Sequence, residues 1–220
     1  KTFFLKVNYM NKYILLFIIL ILILYFHYSI EVSKNDIYYI EDFFSPNEFK
    51  IITTYLKNIP RKDFKNEKFR LVSPLNNDKI NKIVYSQKNI NKINKIVGKK
   101  LFKSNFPIEY RIYPTKSPGM NCHSDTLLYD LPQYEVVLTI SNSSDSYTTW
   151  YSYNNNKEHK IYTKPNSLLL VKAMGNRHCV SPINNGERSI IKYIYTQSEK
   201  YNNNYIRELK RFNEFKKNKN

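Results

Sequence analysis

The 220-residue chain has a continuous apolar run close to its first residues, and periodic patterns follow this run. Residues 13–30 read YILLFIILILILYFHYSI and contain no Asp, Glu, Lys or Arg. A helix of this composition is apolar on every side and is just long enough to cross about 30 Å of hydrocarbon. The run exceeds the roughly 7–15 apolar residues of a cleavable signal peptide, and no small-residue cleavage site follows it. The pattern therefore predicts an uncleaved membrane anchor.

Charges on either side of this run predict its orientation. Lys1, Lys6 and Lys12 precede it, whereas acidic residues predominate over positions 31–42. Because positive charge favours the cytoplasmic side, residues 1–12 are expected in the cytoplasm and the rest of the chain across the membrane. In a eukaryotic cell this places the folded domain in an endoplasmic reticulum-like or Golgi-like lumen. A cleaved, secreted form is the alternative.

The next part of the chain predicts a short strand and two helices. The strand covers 37–44. Ser45 occupies the N-cap position of the first helix and Glu48 completes its capping box. Apolar residues recur at helical spacing again over 77–97, and Gly98 is a suitable C-terminal cap. The segment thus provides helical support, assigned to residues 45–100.

From residue 105 onward, short runs rich in Val, Ile, Tyr and Thr alternate with Asn, Ser, Pro and Gly. The predicted strands are 108–113, 134–141, 147–153, 158–163, 166–172 and 188–196. Many short strands at this spacing are typical of an antiparallel sandwich or barrel. We therefore expect one domain over 31–200 that is mainly β with N-terminal helices, with its β core at 105–197. The basic segment 201–220 is interpreted as a helix or a frayed tail.

The composition limits the classes of protein to which this chain can belong. With 42% hydrophobic and 15% aromatic residues the chain is too apolar to be disordered, and 4 Gly exclude a collagen-like repeat. The formal net charge of +17 raises the possibility of nucleic-acid binding. However, residues 57–103 alone hold 14 basic and 3 acidic side chains, on a helical face with few aromatics to stack bases. A solvated helix face is favoured, and nucleic acid is not an expected partner.

Candidate chemistry centres on three residues. His123 and Asp125 form the sequence H-S-D, and residues i and i+2 of a strand point to the same face. His178 follows 53 residues after Asp125. Two imidazoles and one carboxylate are the ligands of the non-haem Fe(II) facial triad, which leaves positions open for a co-substrate and dioxygen.

An arginine beyond the third proposed ligand extends this pattern. Arg188 lies ten residues past His178, after a predicted tight turn at 184–186. If His178 ends one strand and Arg188 begins the next, both lie at one mouth of the barrel. A guanidinium there can bind a carboxylate through two hydrogen bonds.

This pattern resembles the Fe(II)/2-oxoglutarate-dependent dioxygenases, and more narrowly the prolyl 4-hydroxylase alpha-subunit-like family, over residues 38–197. The resemblance implies a double-stranded β-helix, or jelly roll, and an enzyme that uses Fe(II), 2-oxoglutarate and O₂, with ascorbate as reductant. It implies iron binding by His123, Asp125 and His178, and binding of the distal 2-oxoglutarate carboxylate by Arg188. It also assigns Tyr113, in R-I-Y-P, and Thr139, on the strand after H-S-D, to the 2-oxoglutarate pocket.

The substrate is less defined than the metal site. The resemblance implies hydroxylation of a peptidyl proline, so a peptide or protein partner is expected. Peptidyl lysine or a small molecule remains an alternative, because the family's usual segment after the first strand is replaced by L-T-I-S-N-S-S-D-S-Y-T-T-W. Two other classes stay open, a nucleic-acid-modifying protein and a non-catalytic jelly-roll module. No oligomeric state is predicted.

The two cysteines flank the proposed ligands. Cys122 precedes His123 and Cys179 follows His178. Adjacent strand residues face opposite sides, so neither cysteine is expected to bind the metal held by its neighbour. Two small buried thiols are the favoured interpretation. A disulfide between adjacent ligand strands is the alternative in an oxidising compartment.

Overall fold

A computed structural model of the protein describes residues 14–24, 36–152 and 156–217. The chain divides into two units, Lys1–Asn35 and Asp36–Asn220. The first unit contributes helix α1 over 14–24, whose side chains are each 42–64% exposed. The predicted anchor, 13–30, extends beyond the described residues at both ends. Among the described residues, no helix is both long enough and apolar enough to span a bilayer.

The second unit contains the remaining helices and all the strands of the described chain. The helices are α2 (Pro46–Lys57), α3 (Asp78–Val84), α4 (Gln87–Val97) and α5 (Asn203–Lys217). The strands are β1 (Ile37–Ile40), β2 (Lys65–Glu67), β3 (Arg70–Leu75), β4 (Phe102–Lys103), β5 (Ile108–Tyr113), β6 (Met120–His123), β7 (Tyr134–Asn142), β8 (Thr148–Tyr151), β9 (Glu158–Ile161), β10 (Leu168–Lys172), β11 (His178–Val180) and β12 (Arg188–Thr196).

The strands form two antiparallel sheets. The large sheet has the order β1-β10-β7-β12-β5-β3-β2, with β4 also paired to β12, and the small sheet has the order β6-β11-β8-β9. Trp150 of the small sheet packs with Leu169 and Val171 of the large sheet, so the two sheets face each other across an apolar layer. This arrangement confirms the expected mainly β architecture with a few helices and is that of a jelly roll.

Helices α2, α3 and α4 cover the outer face of the large sheet. Val136 and Leu138 of β7 join Ile52 of α2 and Ile93 of α4 in one buried cluster. The intervening side chains of β7 point to the opposite face, toward the small sheet. The lysines of α3 and α4 are exposed, which matches the predicted solvated helix face.

The segment predicted as one helix over 77–97 is two helices. Ser86 interrupts it, and its side chain accepts a hydrogen bond from the Asn89 backbone N–H at the start of α4. Tyr85, between the helices, is buried edge-on against Tyr193 and Tyr195 of β12. Packing of this aromatic ring into the core and the new N-cap together favour a break over a continuous helix.

Two other segments differ from their sequence-based predictions. The strand expected over 37–44 ends at Ile40, because Asp42 adopts a positive φ of 47° and the chain turns to bury Phe43 and Phe44. The helical support expected over 45–100 also contains strands β2 and β3, which extend the large sheet.

The C-terminal segment is a packed helix over most of its length. Tyr205 of α5 joins Leu128, Tyr129 and Ile194 in a buried cluster. Phe212 is also buried, at 2% exposure. These contacts favour the helix over the frayed tail for residues up to Lys217.

Candidate metal centre

Two short neighbouring strands of the small sheet carry the histidines. His123 is the last residue of β6 and His178 is the first residue of β11, and the two are direct partners in the antiparallel pair. Gly119, with φ of 77°, precedes β6, and a Cβ there would lie 2.3 Å from the Val180 carbonyl oxygen. A glycine is therefore needed for these strands to approach.

Asp125 lies in the loop just after β6, not on the strand as the sequence analysis assumed. Its backbone carbonyl accepts a hydrogen bond from the Met174 N–H at 3.0 Å. The neighbouring Ser124 hydroxyl donates to the Gly175 carbonyl oxygen at 2.8 Å. These bonds tie the loop to the turn before β11, so the carboxylate still faces the histidines. His178 begins its strand rather than ending one.

The three side chains converge on one point. One ligand atom from each of His123, Asp125 and His178 lies within 4.8 Å of the others. Asp125 Oδ1 lies 3.7 Å from His123 Nε2, and Asp125 Oδ2 lies 3.9 Å from His178 Nε2. The imidazole ring centroids are 4.5 Å apart. One cation can therefore contact all three residues, as a facial triad requires.

The protonation states suit metal binding. His123 Nδ1 lies 2.8 Å from the Asn121 carbonyl oxygen, so an N–H on Nδ1 leaves Nε2 free as a ligand. Burial, as the largest cause, and the nearby His123 together lower the pKa of His178 to about 4. At neutral pH His178 is therefore an uncharged imidazole, the form that binds metals.

Arg188 lies in the same cavity as the triad, together with Tyr113. Arg188 is 5% exposed, its Nε has no hydrogen-bond partner, and it forms no ion pair with any described residue. Its Cζ lies 5.3 Å from the centre of the Tyr113 ring, on the neighbouring strand. Burial lowers the pKa of Arg188. A buried guanidinium without an anion is costly, so the cavity suits a ligand that carries a carboxylate.

Thr139, unlike Arg188 and Tyr113, is not part of the described lining of this cavity. It is fully buried on β7 and its hydroxyl has no hydrogen-bond partner. Thr163 does line the cavity, is 5% exposed and also has an unpaired hydroxyl. The sequence analysis placed Thr163 at the end of a predicted strand over 158–163, but β9 ends at Ile161 and the loop after it brings Thr163 to the cavity.

Four charged residues on the inner face of the large sheet were also missed. Glu109 pairs with Arg111 on β5, and Lys192 of β12 pairs with Glu135 of β7. They line a second cavity, of about 160 Å³, that includes Asp125 and is bordered by α5. For β5 the signal was present in the sequence, because Glu109 and Arg111 alternate with apolar residues.

The pKa values of the two acids of these pairs shift in opposite directions. Burial, the largest effect, raises the pKa of Glu109, but Arg111 and Lys192 together hold it below its usual value. Burial raises the pKa of Glu135 despite the neighbouring Lys192. Arg111 and Lys192 therefore outweigh burial at Glu109, whereas Lys192 does not outweigh it at Glu135.

Cys122 and Cys179 form a disulfide, the alternative that the sequence analysis did not favour. The bond lies on the face opposite the imidazoles, because adjacent residues of a strand alternate in direction. Cys122 is exposed and Cys179 is half-buried. Neither sulfur is available as a metal ligand.

Taken together, the donor set fits a divalent iron ion. The triad supplies two neutral nitrogens and one carboxylate, and a buried cation in the same cavity lacks an anionic partner. Zinc bound through cysteine is excluded by the disulfide. These residues also suit an anionic co-substrate that reaches from the metal to Arg188.

Comparisons with known proteins agree at the level of the fold. No protein-family model matches the sequence, and no curated protein does so. Among solved structures, a 2OG-Fe(II) oxygenase family oxidoreductase from Burkholderia pseudomallei has a TM-score of 0.65 at 11% identity, covering 79% of this chain and 90% of that one. The fold is therefore that of the 2-oxoglutarate/Fe(II) oxygenases, as the sequence resemblance implied.

Two further structures are similar. A prolyl hydroxylase from Trichoplax adhaerens, in complex with a hypoxia inducible factor peptide fragment, has a TM-score of 0.58 at 18% identity, covering 76% of this chain and 86% of that one. HygX from Streptomyces hygroscopicus, with nickel, 2-oxoglutarate and hygromycin B bound, has a TM-score of 0.57 at 9% identity, covering 77% and 86%. The fold thus occurs with both a peptide and a small-molecule ligand.

Proposed function

We propose that this protein is an Fe(II)- and 2-oxoglutarate-dependent dioxygenase that hydroxylates a C–H bond. The observation that carries the proposal is one cavity that holds both the His123, Asp125 and His178 triad and the unpaired buried Arg188. The overall reaction adds one oxygen atom to the substrate and the other to 2-oxoglutarate, which becomes succinate and CO₂. Bound iron would supply the activation of dioxygen.

The protein's own residues provide binding and orientation. His123, Asp125 and His178 hold the metal on one face and leave its other positions open. Arg188 binds the distal carboxylate of 2-oxoglutarate, and its position over the Tyr113 ring fixes the guanidinium. Apolar side chains such as Val137 and Leu169 line the same cavity and exclude water from it.

Peptidyl proline is the first candidate substrate. The sequence resemblance to the prolyl 4-hydroxylase family supports it, as does the similarity of the fold to a peptide-bound prolyl hydroxylase. Peptidyl lysine or a small molecule is the second candidate. The second cavity favours it, because Glu109, Arg111 and Glu135 offer polar contacts beside Asp125 that a proline ring does not use.

Turnover with purified protein tests this function. With Fe(II), ascorbate and O₂, the wild-type protein is expected to convert 2-oxoglutarate to succinate, faster when a substrate is present. Proline-rich, lysine-containing and collagen-like peptides would be analysed by mass spectrometry for one added oxygen atom. No succinate and no binding of 2-oxoglutarate would refute the proposal. An oxidised lysine with unmodified proline would select the second candidate.

Membrane anchoring is a second proposal, made for residues 13–30. The exposed apolar side chains of α1 over 14–24 support it, as does the disulfide, which is typical of an oxidising compartment. The domain would then lie in the lumen of the secretory pathway. Alkaline extraction of membranes and protease protection of a C-terminal tag test this. Release into the soluble fraction, or digestion of the tag in intact vesicles, would contradict it.

A further inference from the structure

We propose that the Cys122–Cys179 disulfide is a redox-sensitive positioning element of the metal centre. In the oxidised form it holds His123 and His178 at the spacing that binds a metal ion, and its reduction weakens metal binding. The inference builds on the proposed function, because it assumes that the triad binds a metal. Its test measures metal affinity and not turnover.

The position of the bond carries this inference. His123 and His178 are direct strand partners, and each cysteine is the chain neighbour of one histidine. The disulfide therefore crosses between β6 and β11 at the ligand pair itself. It joins positions separated by 57 residues, so it also fixes two distant parts of the chain.

β6 is joined to the rest of the small sheet on one side only. Besides its pairing with β11, hydrogen bonds donated by Ser124, Met174 and Arg177 hold β6 and the loop after it to the turn before β11. β6 lies at the edge of the small sheet and pairs only with β11 among the described strands. The register between the two strands shifts between His178 and Val180. Two of the four residues of β6, Asn121 and Cys122, are exposed. The edge strand is thus supported on one side only, and the disulfide adds a covalent link at the ligand pair.

A reductant can reach the bond without entering the metal cavity. Cys122 is exposed on the outer face, whereas the imidazole of His178 is buried. A dithiol reductant supplies the two electrons and two protons. One of its thiolates attacks a protein sulfur and forms a mixed disulfide while the other cysteine leaves as a thiol. Its second sulfur then closes a ring and releases the remaining cysteine as a thiol.

The expected effect follows from preorganisation. Groups that orient metal ligands typically change metal affinity by about 10–100-fold when they are removed. We therefore expect reduction to weaken metal binding by about tenfold or more. Protein folding need not be lost, because the apolar cluster that joins the large sheet to α2–α4 does not include these strands.

The experiment uses the full chain and Co(II) as an air-stable substitute for Fe(II). Oxidised and reduced protein, freed of reductant under anaerobic conditions, are titrated with Co(II), and the visible ligand-field spectrum is recorded. A thiol assay on the denatured protein verifies the redox state. The oxidised form is expected to bind Co(II) about tenfold more tightly than the reduced form, and the double variant Cys122→Ser/Cys179→Ser is expected to bind like reduced protein with or without reductant.

Two controls separate positioning from general stability. Ile80→Ala, which removes a buried side chain of α3 far from the ligand strands in the fold, should lower the melting temperature and leave Co(II) affinity of the folded protein unchanged. His178→Ala should abolish the Co(II) spectrum in both redox states. If the double variant does not fold, the comparison of oxidised and reduced wild-type protein still decides the question.

Equal Co(II) affinity of the two verified redox forms would overturn the inference, and so would two free thiols in the untreated protein. Failure of the proposed function gives a different result. Redox-dependent Co(II) binding without any 2-oxoglutarate turnover would support this inference while refuting the oxygenase. Turnover with redox-independent Co(II) binding would support the oxygenase while refuting this inference.

Discussion

The two faces of the large sheet differ in chemistry although the same strands form them. Along β12, Tyr193 and Tyr195 pack toward the helices, whereas Arg188 and Lys192 line the cavities on the other face. The helix-covered face is apolar and supplies stability. The cavity face keeps buried charges, and one of them, Arg188, forms no ion pair with any described residue. Stability and ligand binding should therefore respond separately to mutations on the two faces.

Loss of a metal ligand should produce the largest effect of all, and this effect should be confined to the cavity face. His178→Ala removes one of three ligands, so we expect metal binding and succinate formation to fall below detection. The free energy of unfolding of the metal-free protein should change by only about 1 kcal/mol, since the side chain borders a cavity. His159→Ala is the matched control and should keep activity, because His159 stacks on Trp150 and belongs neither to the triad nor to the described cavity lining. Residual activity of the His178 variant would contradict the assignment.

On the helix-covered face we expect the reverse, namely a loss of stability without a loss of metal binding. Leu138 is fully buried in the cluster with α2–α4. Leu138→Ala should reduce the free energy of unfolding by about 2–5 kcal/mol, measured by urea denaturation, because it leaves a cavity in a packed layer. Co(II) affinity of the remaining folded protein should be unchanged. A large loss of affinity would show that the two faces are coupled.

Arg188→Gln should affect the co-substrate more than the metal. Removing a buried charge from its carboxylate partner costs about 2–5 kcal/mol. At about 1.4 kcal/mol per tenfold change, a rise of about 100-fold in the KM for 2-oxoglutarate is expected. Co(II) affinity should stay within about twofold. Arg207→Gln, which removes an exposed arginine on α5, is the control. An unchanged KM would exclude Arg188 from carboxylate binding.

Acid should destabilise the metal-free protein through His178. Burial, together with the nearby His123, lowers the pKa of this side chain from 6.5 to about 4, so between these pH values the unfolded chain binds more protons than the folded protein. Stability is therefore complete above pH 6.5 and falls as the pH decreases toward 4. The loss between pH 7 and pH 5 should be about 2 kcal/mol, on the order of 1.4 kcal/mol per unit. Urea denaturation of wild type and His178→Gln measures it, and an equal pH dependence in both would refute this cause.

The smallest effect is expected at the break between α3 and α4. Ser86 caps α4 through a hydrogen bond from the Asn89 N–H. Ser86→Ala should therefore lower the free energy of unfolding by about 1 kcal/mol. Ser86→Asp, which can still accept this bond, should restore most of the loss. Metal affinity should be unaffected in both variants, because the helices lie on the other face of the sheet.

The same difference between the faces explains what could be predicted from the sequence. Long periodic elements were predicted well: β5 and β12 have the bounds expected from their patterns, and α2 begins at its predicted cap. The ligand strands β6 and β11 have only four and three residues, too few for a periodic pattern. Their position was inferred from chemistry, by the resemblance that H-S-D, His178 and Arg188 carry.

Tertiary contacts determine the remaining features. The break at Ser86 depends on Tyr85 packing against β12, which no local pattern reveals. The disulfide depends on β6 lying beside β11. The place of Thr163 in the cavity depends on how a loop returns to the barrel. Each of these depends on residues distant in sequence.

A crystal structure of the complex with Ni(II) and 2-oxoglutarate would test the central claim most directly. The account predicts one metal ion bound by His123, Asp125 and His178, with the distal 2-oxoglutarate carboxylate on the guanidinium of Arg188. A metal ion bound elsewhere, or 2-oxoglutarate that does not contact Arg188, would contradict it.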